Sequence, residues 1–395
     1  KTKVFQLAFM RNADPFFAFH NAESLLDGLE SEEFGKMSSK LSLSYQLDGF
    51  SRKHQVNLNF SFNDILPKRI NVLIGRNGLG KSQALASIVR SLVRGDKQLV
   101  DPDNRRPMIS RVLAIATPGE TSNTFPPERN NKQIKYKRLI LNRSSSFKSS
   151  RGFGEMCIQL ARSEEQIGDR DRWMLFVDSL SILDQQGEIV LPLDQPIKAA
   201  NNHLMSVNGK QYIPLSKLNR GGEQAKLEVW GAISRNATPL KLIDESLHPL
   251  SSGQSAFLKF SVQACLFIEN GTLVLLDEPE THLHPNFISE FVRLLDKLLS
   301  MTGSAAVVAT HSAYFVREMP RAQVLVFKES EDNSVHIDNP RLKTFGADIG
   351  SISYFVFEDE MTNALVEDLI ERLPEDALEK KAMIEELEEE LSSEV

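Results

Sequence analysis

Gly75-Arg-Asn-Gly-Leu-Gly-Lys81-Ser82 constrains this chain more than any other eight residues. It follows a short apolar run, Ile70-Asn-Val-Leu-Ile74, and opens a stretch in which Ala84, Leu85, Ile88, Val89, Leu92 and Val93 recur at helical spacing. The local order is therefore strand, glycine loop, helix. Glycines let such a loop curl until successive N–H groups point inward, and the helix N-terminus adds the positive end of its dipole. That cradle suits phosphate oxygens. On this reading Gly75, Arg76, Asn77, Gly78, Gly80, Lys81, Ser82 and Gln83 bind ATP, Lys81 reaches the β- and γ-phosphates, and Ser82 is a ligand of Mg2+.

A second motif completes the chemistry. Thr272-Leu-Val-Leu-Leu276 is a buried strand by composition, and it ends in Asp277-Glu278. The strand holds Asp277 rigidly enough to join Ser82 at the metal, while Glu278, one residue further out, polarises an attacking water. Lys81 and Glu278 are the expected catalytic residues, and His311 lies at the end of another apolar strand, Ala305 to Ala309.

Leu250-Ser251-Ser252-Gly253-Gln254 opens a helix shortly before Asp277, and here the chain resembles the ABC-type ATPases. Their signature is usually Leu-Ser-Gly-Gly-Gln; Ser252 replaces the first glycine. The resemblance implies that Ser251, Ser252, Gly253 and Gln254 complete the site of an opposing subunit, so that one copy of each motif calls for a head-to-tail pair. It also implies that His311 is the switch histidine. DEPETHLHP, residues 277–285, looks like the corresponding junction in the OLD, RecF and Rad50-like branch, which gives His282 and His284 a structural or interface role rather than a zinc site. Such ATPases carry a glutamine after the strand Arg111 to Ala116; Thr117 stands there instead, as a possible replacement.

Softer blocks narrow the resemblance. Val112 to Pro127, Tyr136 to Arg162, Val316-Arg-Glu-Met-Pro320 and Thr344-Phe-Gly-Ala-Asp-Ile-Gly-Ser-Ile352 are similar to the PtuA-type ATPase of Septu anti-phage systems, also found beside retrons. That similarity implies a homo-oligomeric ATPase controlling an HNH-type nuclease subunit, joined in retron settings by a reverse transcriptase with its RNA–DNA hybrid. The chain itself shows no HNH-like or Toprim-like cluster, so cleavage chemistry is expected from another chain. The alternative is a RecF- or Rad50-like repair ATPase that clamps DNA; a transporter ATPase is a third reading, disfavoured by DEPETHLHP and the missing glutamine.

Charge separates two regions. The formal net charge is −7, yet residues 358–395 hold fifteen acids against Arg372, Lys380 and Lys381, leaving the preceding body slightly basic. Residues 129–151 carry eight cations and no acid, a candidate nucleic-acid footprint or a solvated loop. Cys157 and Cys265 form no metal-ligand pattern, no apolar run is long enough to span a bilayer, and Lys1 to Phe19 is too charged for a secretory leader. A cytoplasmic protein without membrane contact is expected.

The expected architecture is α/β, an ABC ATPase fold within 1–357. It comprises an N-terminal antiparallel β lobe (1–70), a mainly parallel P-loop core (71–128), a basic loop (129–152), an inserted helical and mixed lobe (153–249), and a signature, acid-pair and switch core (250–357). C-terminal helices end in an acidic helical tail (358–395).

Overall fold

The computed structural model describes residues 13–20, 22, 37–60, 65–116, 124–128, 133–140, 152–167, 170–181, 183, 187–197, 203–283 and 285–357. A short helix, α1 (Ala13–His20), precedes an antiparallel hairpin of β1 (Lys40–Tyr45) and β2 (His54–Asn59). Next, β3 (Ile70–Gly75) leads through the glycine loop into α2 (Lys81–Arg94), and β4 (Leu99–Val100) joins the other edge of β1. Then come β5 (Arg111–Ala116) and β6 (Lys135–Ile140).

The middle of the chain holds α3 (Phe153–Ala161), a ribbon of β7 (Gln166–Ile167) and β8 (Arg170–Asp171), and α4 (Arg172–Leu180). These are followed by β9 (Glu188–Pro192), β10 (Met205–Val207), β11 (Lys210–Pro214), α5 (Glu223–Ala232), β12 (Leu240–Ile243) and β13 (Ser246–Pro249). The five strands β9 to β13 form one antiparallel sheet. Its β10–β11 turn, Asn208-Gly209, has φ of 52° and 76°, the double positive φ that a tight hairpin requires.

The final third alternates helix and strand: α6 (Ser252–Phe267), β14 (Thr272–Asp277), α7 (Pro285–Thr302), β15 (Ala305–Thr310), α8 (Ala313–Arg317), β16 (Val324–Glu329), β17 (Val335–Asp338) and α9 (Ile349–Phe357). The central sheet has the order β17-β16-β3-β15-β14-β5-β6, and every neighbouring pair is parallel except β16 with β17.

Period-two alternation splits the core across this sheet. Ile70, Val72, Ile74, Val274, Leu276, Ala306 and Val308 face a cluster that includes Phe260 of α6 and Phe291 of α7. Leu73, Leu273, Leu275, Val307 and Ala309 face Leu85 and Ile88 of α2 with Leu43, Val56 and Leu58 of the hairpin. A sheet covered on both faces explains why its inner strands read as continuous apolar runs.

One sequence expectation changes and another gains detail. The inserted region 153–249 is mixed helix and strand, and it packs into the main core: Phe153, Leu160, Trp173, Phe176, Ile189 and Leu191 belong to the same cluster as Ile74 and Leu276. Its first part is two helices interrupted by the β7–β8 ribbon. The basic loop is in part a strand, because Lys135 to Ile140 pairs in parallel with β5 as the sheet edge. The tail, 358–395, lies outside the described residues.

Candidate nucleotide site

The carboxyl ends of β3, β15 and β14 lie side by side, with Ile74 opposite Thr310 and Ala309 opposite Asp277. Ligands of open parallel sheets bind at this edge. Gly75 has φ of 151°, and a Cβ there would sit 2.5 Å from the Phe327 carbonyl oxygen, so only glycine fits against β16. Gly80, at φ of 95°, is the N-cap of α2. Its carbonyl accepts the Ala84 N–H at 2.8 Å and the Tyr45 hydroxyl at 3.0 Å, which ties the loop to the β1–β2 hairpin. Burial pushes the Tyr45 phenol pKa up, so it remains a donor.

Lys81 is 5 % exposed, and its Nζ donates to the carbonyls of Gly75 and Arg76, each at 2.8 Å. Burial lowers its pKa to about 8 against the pull of Glu278, Asp277 and Glu280. Asp277 is 2 % exposed and accepts at both oxygens, from Ser82 Oγ at 2.9 Å and from Thr124 Oγ1 at 2.8 Å.

Glu278 occupies the left-handed region at φ of 47°, a strained place for a side chain with a Cβ. Its N–H donates to the Ala309 carbonyl at 2.9 Å, and its Oε1 lies 3.0 Å from His311 Nε2. Burial, then the Lys81 charge, holds the His311 pKa below its ordinary value, despite a hydrogen bond with the Gly75 backbone and the Asp277 charge, which raise it. The ring nitrogen and the carboxylate oxygen thus stand in contact at the mouth of the loop. Glu280 accepts from the Thr310 hydroxyl and, at 2.8 Å, from the His311 N–H, so it fixes the backbone that carries this imidazole.

The structure thus brings Gly75, Lys81, Ser82, Asp277, Glu278 and His311 together. Arg76, Asn77 and Gly78 form the exposed tip of the loop, where a Cβ on Gly78 would meet nothing within 4 Å. Gln83 accepts from Arg90 at 3.2 Å along α2. Ser251 caps α6 reciprocally with Gln254, Ser251 and Ser252 are exposed, and among the described residues no hydrogen bond joins them to the glycine loop. Thr117 and His284 lie outside the described residues, as does the His282 side chain.

Thr124, Glu280 and Tyr45 were not legible as site residues. Thr124, seven positions beyond Thr117 in the sequence, donates to Asp277. Among the described residues no three His, Cys, Asp or Glu side chains gather as a metal cluster. The hydroxyl–carboxylate pair Ser82 and Asp277 fits Mg2+, which takes few protein ligands and completes its shell with phosphate and water oxygens.

The family described as "AAA domain, putative AbiEii toxin, Type IV TA system" matches residues 90–317. The chain belongs to this family. The AAA-domain match takes in Ser251 to Gln254, Asp277, Glu278 and His311, while the glycine loop precedes it. Protein ea59 of Escherichia phage lambda is 34% identical over 122 residues, which are 31% of this chain and 23% of ea59. The chain thus matches less than a quarter of that relative.

Among solved structures, the SmcHead bound to the C-winged helix domain of ScpA is 14% identical with TM-score 0.40, covering 76% of this chain and 97% of that one. CbiO1 from Clostridium perfringens, part of the ABC transporter complex cbiONQ, is 14% identical with TM-score 0.38, covering 85% and 100%. Strand order and motif placement carry the fold, not these likenesses. An N-terminal β lobe, a mainly parallel sheet, helical insertions and C-terminal helices make an α/β fold consistent with ABC-ATPase architecture, and the AAA-domain match supports a nucleotide-binding enzyme of this broad class. No helix among the described residues is long and apolar enough to cross a membrane.

Proposed function

We propose that the chain is an ATP-binding and ATP-hydrolysing subunit that works as a head-to-tail homo-oligomer and controls a nuclease partner, in the manner of a Septu-like antiviral complex. The observation that carries hydrolysis is the 3.0 Å contact between Glu278 and His311 beside Lys81 and the Ser82–Asp277 pair. Lys81 is held in place by carbonyls it can exchange for phosphate oxygens. Glu278 accepts a proton from the attacking water, and His311 holds that carboxylate until a γ-phosphate competes for its N–H. Ser82 Oγ and Asp277 would hold Mg2+, with Thr124 fixing the second Asp277 oxygen. When bound, the ion neutralises charge on the phosphate oxygens.

Support for the pair comes from the exposed α6 N-terminus, whose N–H groups and Ser251 hydroxyl suit a phosphate presented by a second copy. The HNH-type nuclease, and a reverse transcriptase with RNA–DNA in a retron setting, rest on the sequence resemblance. A DNA clamp through residues 129–151 is less favoured, because Lys137 lies 3.9 Å from Glu128 and Arg138 donates to the Phe125 carbonyl.

The test is Glu278→Gln in the full chain. Turnover should fall roughly a hundredfold or more while ATP affinity stays within a few fold. Turnover at the unaltered rate would overturn the assignment. Co-purification with neighbouring gene products, weighed by native mass spectrometry, tests the partner; a solitary monomer that binds none of them would remove the defence-complex reading.

A further inference from the structure

Away from the nucleotide site, cations and exposed aromatic rings share one strip of surface. Residues 339–346 run back along 317–324. Asn339 Nδ2 donates to the Val324 carbonyl at 2.7 Å, Arg321 Nη1 reaches the Arg341 carbonyl at 3.5 Å, Thr344 Oγ1 donates to the Met319 carbonyl at 2.6 Å, and the Gly346 N–H donates to the Arg317 carbonyl at 2.8 Å. These bonds place Arg317, Arg321, Arg341, Lys343 and Phe345 together, with Tyr314 one turn before Arg317 on α8. The four cations are exposed, Phe345 is 52% exposed and Tyr314 39%.

Among the described residues none of these cations has a carboxylate partner. The nearby acids are engaged elsewhere. Asp348 accepts the Ser351 N–H at the start of α9, and Glu318 accepts the Ser289 hydroxyl at 2.7 Å. Unpaired cations around exposed rings call for an occupant that is anionic and partly apolar.

The chain supplies such a segment. Residues 358–395 carry fifteen acids against three bases, with Leu365, Leu369 and Leu373, then Ile384, Leu387 and Leu391, at helical spacing. The segment begins directly after α9, which packs against α8. Its thirty-eight residues exceed the reach needed to cross a strip only a few residues wide, at about 3.3 Å per extended residue. Tethering also raises its local concentration to the order of millimolar.

We infer that residues 358–395 dock on this strip, acids against Arg317, Arg341 and Lys343, and leucines against Phe345 and Tyr314. A single-stranded nucleic acid would meet the same cations and stack its bases on the rings, but it has no tether, and the tether favours the tail. Because α8 starts two residues after His311, the docked segment bears on the stretch that positions the switch imidazole. The docking does not depend on ATP hydrolysis and stands apart from that proposal.

Zero-length carbodiimide cross-linking of the full chain, followed by peptide mass mapping, tests it. Lys343 should link to carboxylates within 358–395, and mixed labelled and unlabelled chains should show the link within one chain. Arg317→Glu with Arg341→Glu should lower the yield roughly fivefold, as should salt at about 0.5 M on the unaltered chain, which serves if the double variant does not fold. Links from Lys343 only to other carboxylates, or only between copies, would overturn the inference. So would a yield indifferent to both treatments. Binding of a single-stranded oligonucleotide to the strip with no tail links present would assign the surface to nucleic acid instead.

Discussion

Lys81 is buried among groups that do not fully offset the loss of its hydration, and this gives the protein a testable pH signature. Its folded pKa, about 8, lies below the ordinary lysine value, so between the two the unfolded chain binds more protons than the folded one. Stability without nucleotide should therefore rise with pH through that window. Lys81→Met should flatten the rise, as read by chemical denaturation across the range. Thr124→Val removes a donor to a buried carboxylate, which should cost about 1–3 kcal/mol and lower turnover roughly tenfold. Unchanged turnover would make Thr124 a bystander. At this scale the sequence showed the residues joined by fixed spacing, Gly75 to Ser82 and Asp277-Glu278. Thr124 was invisible because its link to Asp277 spans 153 positions and follows no local rule.

Helices and strands were legible where both faces or one stripe are plainly apolar. The amphipathic pattern from Asn286 to Leu299 became α7, and Thr272 to Leu276 became β14. The misreading at β6 has a physical cause: an edge strand tolerates cations, so Lys135, Lys137 and Arg138 gave it the composition of a loop. Between elements, Phe291 of α7 touches Phe260 of α6 at 4.1 Å between ring centroids and Phe315 of α8 at 5.9 Å. This cluster joins the helices that follow the signature, the acid pair and the switch. Phe291→Ala should destabilise the fold by about 3–5 kcal/mol in a denaturant titration. Gly75→Ala places a methyl group against the Phe327 carbonyl and should abolish nucleotide binding measured by calorimetry.

For the whole molecule, assembly is the property most exposed to test. Glu278→Gln with ATP should run as a dimer in light scattering, and adding Ser251→Arg should return it to a monomer that still binds ATP within a few fold. A dimer that survives Ser251→Arg would move the interface elsewhere. The α/β class and parallel sheet could be read from alternating apolar runs. That the middle region shares the main core could not, because Phe153 or Trp173 meeting the same cluster as Leu276 is decided by tertiary packing, not by any local period.

Strand order has a consequence for how the protein is made. The glycine-loop strand β3 has only β15 and β16 as neighbours, and both are synthesised more than two hundred residues later. In the sheet β14 is separated from β3 by β15, although Ser82 and Asp277 touch directly. A nascent chain holding both motifs but ending before Ala305 therefore lacks the strand that sets β3 and β14 in register, and pairing this distant in sequence is slow. Competence to grip a nucleotide should therefore come late in synthesis, once β15 can pair with both β3 and β14.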